Sequence, residues 1–259
     1  MLKQRTLSAL VLAPIVLGAC FFGGVAFLSL IALITGVCAR EYRSMVVGAG
    51  MGLNVMFIPL CMAIALSGFT NRIDWLLASI IAGSLILLAM SIKGGAPNGV
   101  FGVAGAVYIG GLLGSWSLLR AQPDGREWCF LVLFVTWAND MGAYFGGRAF
   151  GKRKLAPAIS PGKSWEGAAF GLGAGVAAST YFGSWVGFSP AVGALAGAFL
   201  AVLAQVGDLV ESRLKRYCRV KDSGDAIPGH GGFLDRFDSL LFTGTGGMLL
   251  KGIYGLLFH

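Results

Sequence analysis

The chain is predicted to be an all-α, polytopic membrane protein of about nine transmembrane helices, with its reactive side chains gathered at the cytoplasmic face. Three observations predict this. Hydrophobic residues make up 56% of the 259-residue chain and charged residues only 12%, where a soluble domain carries about 25% charged residues. Mean hydropathy is +0.76. The charges fall into short loops between apolar runs long enough to cross a bilayer, which needs about 20 residues per helix.

The first uncharged run, Thr6–Ala39, has 34 residues. That is long for one helix and short for two, and Gly23-Gly24 near its middle predicts two spans joined by a tight turn. The following spans are expected at 45–69, 75–92, 99–119, 128–147, 167–187, 190–207 and 239–258. On this count the N-terminus and the loops after spans two, four, six and eight share one face. They hold 16 of the 20 basic residues: Lys3, Arg5, Arg40, Arg43, Lys93, Arg148, Lys152, Arg153, Lys154, Lys163, Arg213, Lys215, Arg216, Arg219, Lys221 and Arg236. Arg72, Arg120 and Arg126 face the other side and Lys251 lies in the last span. The bias places the N-terminus and both long charged loops in the cytoplasm. Residues 1–120 are read as N-terminal transmembrane helices and 121–259 as the C-terminal catalytic region. No cleavable leader is read, because the first apolar run continues uncharged to Ala39.

The net charge of +8 is explained by topology and lipid phosphates, so no nucleic-acid partner is expected. The five cysteines form no C-x-x-C pair and their count is odd, which argues against a disulfide framework or a zinc site. Small residues four apart at Gly48/Gly52, Gly110/Gly114, Gly167/Gly171/Gly175 and Gly193/Gly197 predict close helix packing within the bundle, with a homodimer face as the alternative.

Chemistry concentrates in the C-terminal half. Asp140 is an acid inside the sixth apolar run, where a carboxylate needs a polar cavity or a partner; Asn139 and Tyr144 stand beside it. The loop Gly147–Gly167 carries five basic residues and one acid, a composition suited to phosphate. Gly162-Lys163-Ser164 imitates the end of a P-loop, but Pro157 occupies the position of the required glycine and no preceding strand is expected, so a P-loop is rejected. Asp208, Glu211 and Lys215 share a face if the eighth helix continues past the apolar run, and Asp235 and Asp238 share one on the next. Carboxylates from two helix ends suit a hard cation such as Mg2+. Between them, Pro228-Gly229-His230-Gly231-Gly232 predicts a sharp turn whose N–H groups can face an anion. Acids for a metal and bases for phosphates together predict a metal–polyphosphate site.

The run Ser212-Arg213-Leu214-Lys215-Arg216, then Lys221-Asp222-Ser223-Gly224, then Pro228 through Asp238, resembles the signature of the phosphatidate cytidylyltransferases, the CDP-diacylglycerol synthases. Asn139-Asp140, Gly142-Ala143-Tyr144, Gly147-Arg148, Gly151-Lys152 and Ser160-Pro161 are similar to that family too. The likeness covers the C-terminal half; the first 120 residues match only as apolar spans. Met141 stands where the family often has a small or hydroxyl residue, and Gly162 where it often has a basic one.

The resemblance implies that CTP and phosphatidate are converted to CDP-diacylglycerol and pyrophosphate in phospholipid biosynthesis, in a bacterial inner membrane, with Mg2+ and room for a second cation. It implies Asp208 and Asp235 as first metal ligands with Asp238 and Glu211 behind them, and Asp208, Lys215, Asp235 and Asp238 as the catalytic set. Lys215, Arg216, Lys221 and Arg236 would hold phosphates. Asn139, Asp140, Tyr144, Arg148, Lys163, Ser164 and Glu166 would line the nucleotide or lipid-head site, with Ser212 and Asp222 at the substrate. His230 is either a phosphate donor or a turn residue. Two rival readings remain: a CTP-dependent lipid kinase, and an ion-coupled transporter, against which the crowding of charge on one face and the lack of an inverted repeat both count.

Overall fold

The computed structural model describes residues 2–92, 94–225 and 231–258. His230, the Pro228-Gly229 part of its turn, and Lys93 lie outside the described residues. Among the described residues ten α-helices occur in the order α1 (Leu2–Phe22), α2 (Gly24–Gly48), α3 (Phe57–Ser67), α4 (Ile73–Ser91), α5 (Ala96–Gly105), α6 (Leu112–Ala121), α7 (Gly125–Phe150), α8 (Trp165–Phe182), α9 (Pro190–Tyr217) and α10 (Leu234–Phe258). A π-helical stretch, Ala106–Gly111, joins α5 and α6 into one rod. Among the described residues, six rods are long and apolar enough to cross a membrane: α2, α4, the α5–α6 rod, α7, α9 and α10. The apolar parts of α1 (Val11–Phe22) and of α3 with its 3-10 extension (Phe57–Thr70) are shorter. The chain is an integral membrane protein built almost wholly of helix.

Several boundaries differ from the sequence expectation, each for a local reason. Residues 45–48 belong to α2, and the chain breaks at Gly50 (φ 91°) before α3 begins. Helix α9 does not stop with its apolar run but continues ten residues to Tyr217, where Arg219 turns the chain in the left-handed region and the Val220 N–H returns to the Lys215 carbonyl at 2.9 Å. Such a left-handed residue is a common way to end a helix. The tenth begins at Leu234 rather than 239. The turn at Gly23 (φ 64°) between α1 and α2 is as expected, and Arg120 caps it by donating from Nε to the Cys20 carbonyl at 2.8 Å. That interaction satisfies a carbonyl left over at a helix C-terminus.

The chain groups into two compact units. The first comprises Met1–Pro123 and Lys215–Phe237. Its interior holds Phe27, Ile31, Phe57, Ile64 and Ile109, with Tyr42 stacked on Phe57 at 5.5 Å and its hydroxyl donating to the Phe101 carbonyl. Gly110 approaches the Cys61 carbonyl, so α3 and the α5–α6 rod touch through backbone.

The second unit comprises Asp124–Leu214 and Asp238–His259. Here α8 and α9 meet through Gly175 and Gly197, each lying against the other's carbonyl, and α7 meets α8 through Gly142 and Gly171. The small-residue faces of these helices are thus used inside the bundle, which replaces side-chain volume by close van der Waals contact. Thr136 Oγ1 on α7 donates to Thr243 Oγ1 on α10 at 2.9 Å. Between α7 and α8 the chain forms a hairpin, β1 (Lys154–Ala156) antiparallel to β2 (Ser160–Ser164), paired Lys154 to Ser164 and Ala156 to Ser160. This corrects two expectations: the fold is not helical throughout, and a strand does precede α8. Gly162-Lys163-Ser164 lies within that strand rather than in a loop after it, so no P-loop results.

Candidate functional site

In the second unit, acids and amides collect where α7, α8, α9 and α10 come together. Because α9 continues past its apolar run, it carries Gln205, Asp208, Glu211 and Ser212 on successive turns. Gly207 lets α10 approach: a Cβ there would sit 2.6 Å from the Asp238 carbonyl oxygen. Asp238 consequently lies within electrostatic reach of Asp208, Glu211 and Asp140. Glu211 is fully buried, Asp208 and Asp238 half-buried and Asp140 exposed. Ser212 Oγ donates to Asp208 Oδ1 at 3.3 Å, and the Ser239 N–H to Asp238 Oδ1 at 2.7 Å.

An ammonium already stands at one of these carboxylates. Lys163 on β2 reaches Asp208 Oδ2 at 2.6 Å. With Lys163 24% and Asp208 37% exposed, the pair contributes no more than about 1 kcal/mol to stability. It shows instead that the hairpin delivers a cation to the acid cluster. The hairpin's own fixings are strong. Ser164 is the N-cap of α8, accepting from the Gly167 N–H at 3.1 Å. Glu166 accepts from the Lys152 and Arg153 N–H groups at 3.0 and 3.1 Å. Its own backbone N–H, then those two donors, hold the Glu166 carboxyl below the usual range. Ser164 and Glu166, expected at the substrate, are here engaged in shaping the loop that carries Lys163.

The amide layer lies one turn deeper. Asn139 is buried, donating from Nδ2 to Asp140 Oδ1 at 3.0 Å and accepting from Gln205 Nε2 at 3.0 Å. Gln205 also donates to the Ala168 carbonyl at 3.0 Å. Buried amides persist where their donors and acceptors are matched, and this network fixes Asn139 beside Asp140. Gln205 was not singled out from sequence, although it adjoins Asp208 as the last polar residue of an apolar run. Arg148 donates to the Tyr144 hydroxyl at 3.3 Å, both exposed.

In the first unit, the signature loop is organised around two carboxylates. Asp235 Oδ1 forms an ion pair with Lys215 Nζ at 2.5 Å. Its Oδ2 accepts from the Ser223 N–H (2.9 Å), the Ser223 hydroxyl (2.9 Å) and the Gly232 N–H (2.8 Å). The side chains are only 11% and 5% exposed, so each charge depends on the other. The second carboxylate is Glu41, from α2. It is 7% exposed and accepts from the Phe233 and Leu234 N–H groups, each at 2.9 Å, and from the Ser223 hydroxyl at 3.0 Å. A Cβ on Gly232 would collide with Ser223 Oγ and Glu41 Oε2, which is why that position is glycine. Glu41 was missed in the sequence; its signal was an acid between Arg40 and Arg43 at the end of an apolar run.

Lys221, Asp222, Arg216 and Arg236 are exposed, with Arg216 donating to the Val220 carbonyl at 3.2 Å. Cys218 is buried, and burial pushes its thiol up.

Among the described residues, no three His, Cys, Asp or Glu side chains stand close enough to cage a metal. The oxygen donors nevertheless fit a hard cation of the magnesium type. Such an ion is usually held by one or two carboxylates together with substrate phosphates and water. Asp208 and Asp238 can supply that number.

A family model described as the cytidylyltransferase family matches residues 3–252 of this chain. A phosphatidate cytidylyltransferase of Pseudomonas aeruginosa is 39% identical over 259 residues, covering 93% of each chain. One from Staphylococcus haemolyticus is 33% identical over 252 residues, covering 93% of this chain and 96% of its own. One from Bacillus subtilis is 46% identical over 142 residues, about half of either chain: 53% of this one and 52% of its own.

Proposed function

The chain belongs to the cytidylyltransferase family, and from that membership we infer that it is an enzyme that transfers a cytidylyl group from CTP to phosphatidate. The products are CDP-diacylglycerol and pyrophosphate. The observation that carries this reading is the match across residues 3–252 together with relatives of that activity alignable end to end. A likeness restricted to the signature loop would not have separated this reaction from γ-phosphoryl transfer.

The nucleophile is the phosphate oxygen of phosphatidate, already an anion, so the reaction needs charge neutralisation and alignment rather than a strong base. The bond formed joins that oxygen to the α-phosphorus of CTP, and the bond broken releases pyrophosphate. We propose that Lys163 and Arg148 of the second unit bind phosphate oxygens, Lys163 exchanging its contact with Asp208 for the substrate. Asn139, held by Gln205, fixes a polar edge at the nucleotide or lipid headgroup. Lys215, held by Asp235, and the exposed Arg216, Lys221 and Arg236 are phosphate-binding groups of the signature loop. Asp208 and Asp238, with Glu211 behind them, would hold Mg2+. When bound, the ion would neutralise the leaving pyrophosphate. Asp235 is engaged on both oxygens in this conformation, so we propose it orients Lys215 and would reach a metal only by releasing it.

The excess of basic residues in one set of loops supports a cytoplasmic site in a bacterial inner membrane. A dimer, if formed, uses faces other than Gly175 and Gly197, which are occupied within one chain. The test is incubation of purified protein with phosphatidate and CTP labelled on the α-phosphate. Label in the lipid phase with equimolar pyrophosphate is expected; labelled CDP in the aqueous phase beside a newly phosphorylated lipid would replace this reading with a lipid kinase.

A further inference from the structure

A carboxylate buried in the otherwise apolar half of the chain needs an explanation, because its desolvation is costly unless donors replace water. Among the described residues Glu41 has three such donors, and they come from the signature loop 182 to 193 residues later. Two are the N–H groups of Phe233 and Leu234 at the start of α10, groups with no partner inside the helix. The third is the hydroxyl of Ser223, whose single proton faces Glu41 Oε2 at 3.0 Å and Asp235 Oδ2 at 2.9 Å. Of the two bases that flank it on α2, Arg40 is exposed and Arg43 is turned away to the Leu53 carbonyl at 2.8 Å. Gly224 and Gly232 are both pressed against the Glu41 carboxylate, leaving no room for a side chain at either. One side chain of α2 therefore sets the position of the residue before Asp235, of the serine that holds Asp235, and of the two glycines around it.

We propose that Glu41 is a positioning residue for the reaction: it anchors Ser223 and the backbone of Phe233 and Leu234 so that Asp235 holds Lys215 in its working place. The inference rests on the cytidylyl-transfer reading. It also gives the N-terminal helices a part in the chemistry beyond spanning the bilayer. Replacement by glutamine keeps the shape and one acceptor but turns an NH2 group towards backbone donors, whereas aspartate keeps the charge on a shorter arm.

The experiment compares the wild type, Glu41→Gln and Glu41→Asp in detergent. Turnover is counted per folded molecule from the monodisperse fraction on gel filtration, and amide exchange is followed at Phe233 and Leu234. For Glu41→Gln, exchange at both amides should quicken by at least about tenfold, the loss of a charge-assisted hydrogen bond. Its kcat should fall on the order of 100-fold, as for a misplacement near 1 Å, with KM for CTP within about threefold. Glu41→Asp should recover part of both. Unchanged exchange in Glu41→Gln overturns the anchoring. Quickened exchange with wild-type kcat per folded molecule overturns the positioning role and leaves Glu41 a structural anchor. A wild type that labels no lipid overturns the cytidylyl-transfer reading, and the positioning role with it, while the exchange arm still decides the anchor.

Discussion

Substituting Gly207 by alanine tests whether the crossing of α9 and α10 builds the acid site. A Cβ at 207 would lie 2.6 Å from the Asp238 carbonyl oxygen and 3.0 Å from Phe242 Cδ2, where ordinary contact begins at 3.4 Å. The first neighbour is helix backbone and cannot rotate away, so the two helices must part by the shortfall of about 0.8 Å, the difference of those distances. Overpacking of this kind costs about 1–3 kcal/mol, offset by about 1 kcal/mol from replacing glycine by alanine inside a helix. The protein should therefore remain folded. Asp208 and Asp238, adjacent to the contact on either helix, move apart with it, and a displacement approaching 1 Å at a reacting site costs on the order of 100-fold in rate. The assay is initial rate of label transfer to lipid at saturating CTP and phosphatidate. Gly173→Ala, where nothing lies within 4 Å of the added carbon, is the control and should keep its rate. A Gly207→Ala protein turning over within about threefold of wild type would refute the claim that this crossing sets catalytic geometry, since the expected loss is on the order of 100-fold.

Lys163→Ala should raise KM for CTP about tenfold or more, since it removes a charged phosphate contact, while leaving thermal stability nearly unchanged because its pair with Asp208 is partly exposed; a shift in melting temperature without a KM change would contradict the assignment. Gly162→Arg, at a strand position open to solvent, should lower KM for CTP a few-fold at low salt and lose that gain near 1 M salt, where screening acts within about 3 Å; KM values alone check it. Glu166 has its folded carboxyl below the usual range, so its tethering of Lys152 and Arg153 is complete above the ordinary glutamate range and is lost as pH falls through the lower folded value. Amide exchange at 152 and 153, corrected for intrinsic rate, should rise over that acid window in the wild type and show no such step in Glu166→Gln.

Much of the helical plan was legible because lipid leaves so few alternatives for a polar backbone. The turn at Gly23 was visible as a glycine pair in a run too long for one helix. The start of α3 was not, because residues 49–56 are nearly as apolar as the spans around them and only the backbone at Gly50 marks the break. The ten-residue extension of α9 was hidden by its charges, which look like loop in a hydropathy reading yet fit a helix once it leaves the apolar layer. The hairpin 154–164 escaped because Pro157 and Pro161 mark turns while the pairing between its strands is only a few residues long. In the site, Asp208, Glu211 and Asp238 could be named from spacing, since acids three apart share a helical face. Glu41 and Gln205 could not, because their meaning lies in partners far along the chain: Glu41 in the amides of α10, Gln205 in Asn139. Ser164 and Glu166 were read as substrate contacts from their place in a motif, and their hydrogen bonds show the motif also encodes the shape of its own loop.

The most direct measurement is transfer of α-labelled phosphate from CTP to phosphatidate by the purified protein, with Asp208→Asn and Asp238→Asn alongside. The account predicts labelled lipid and one pyrophosphate per label in the wild type, dependence on added Mg2+, and loss of transfer in both variants with folding retained. Labelled lipid formed equally well by both variants would contradict the placing of the reaction at these acids, and no labelled lipid from the wild type would contradict the reaction itself.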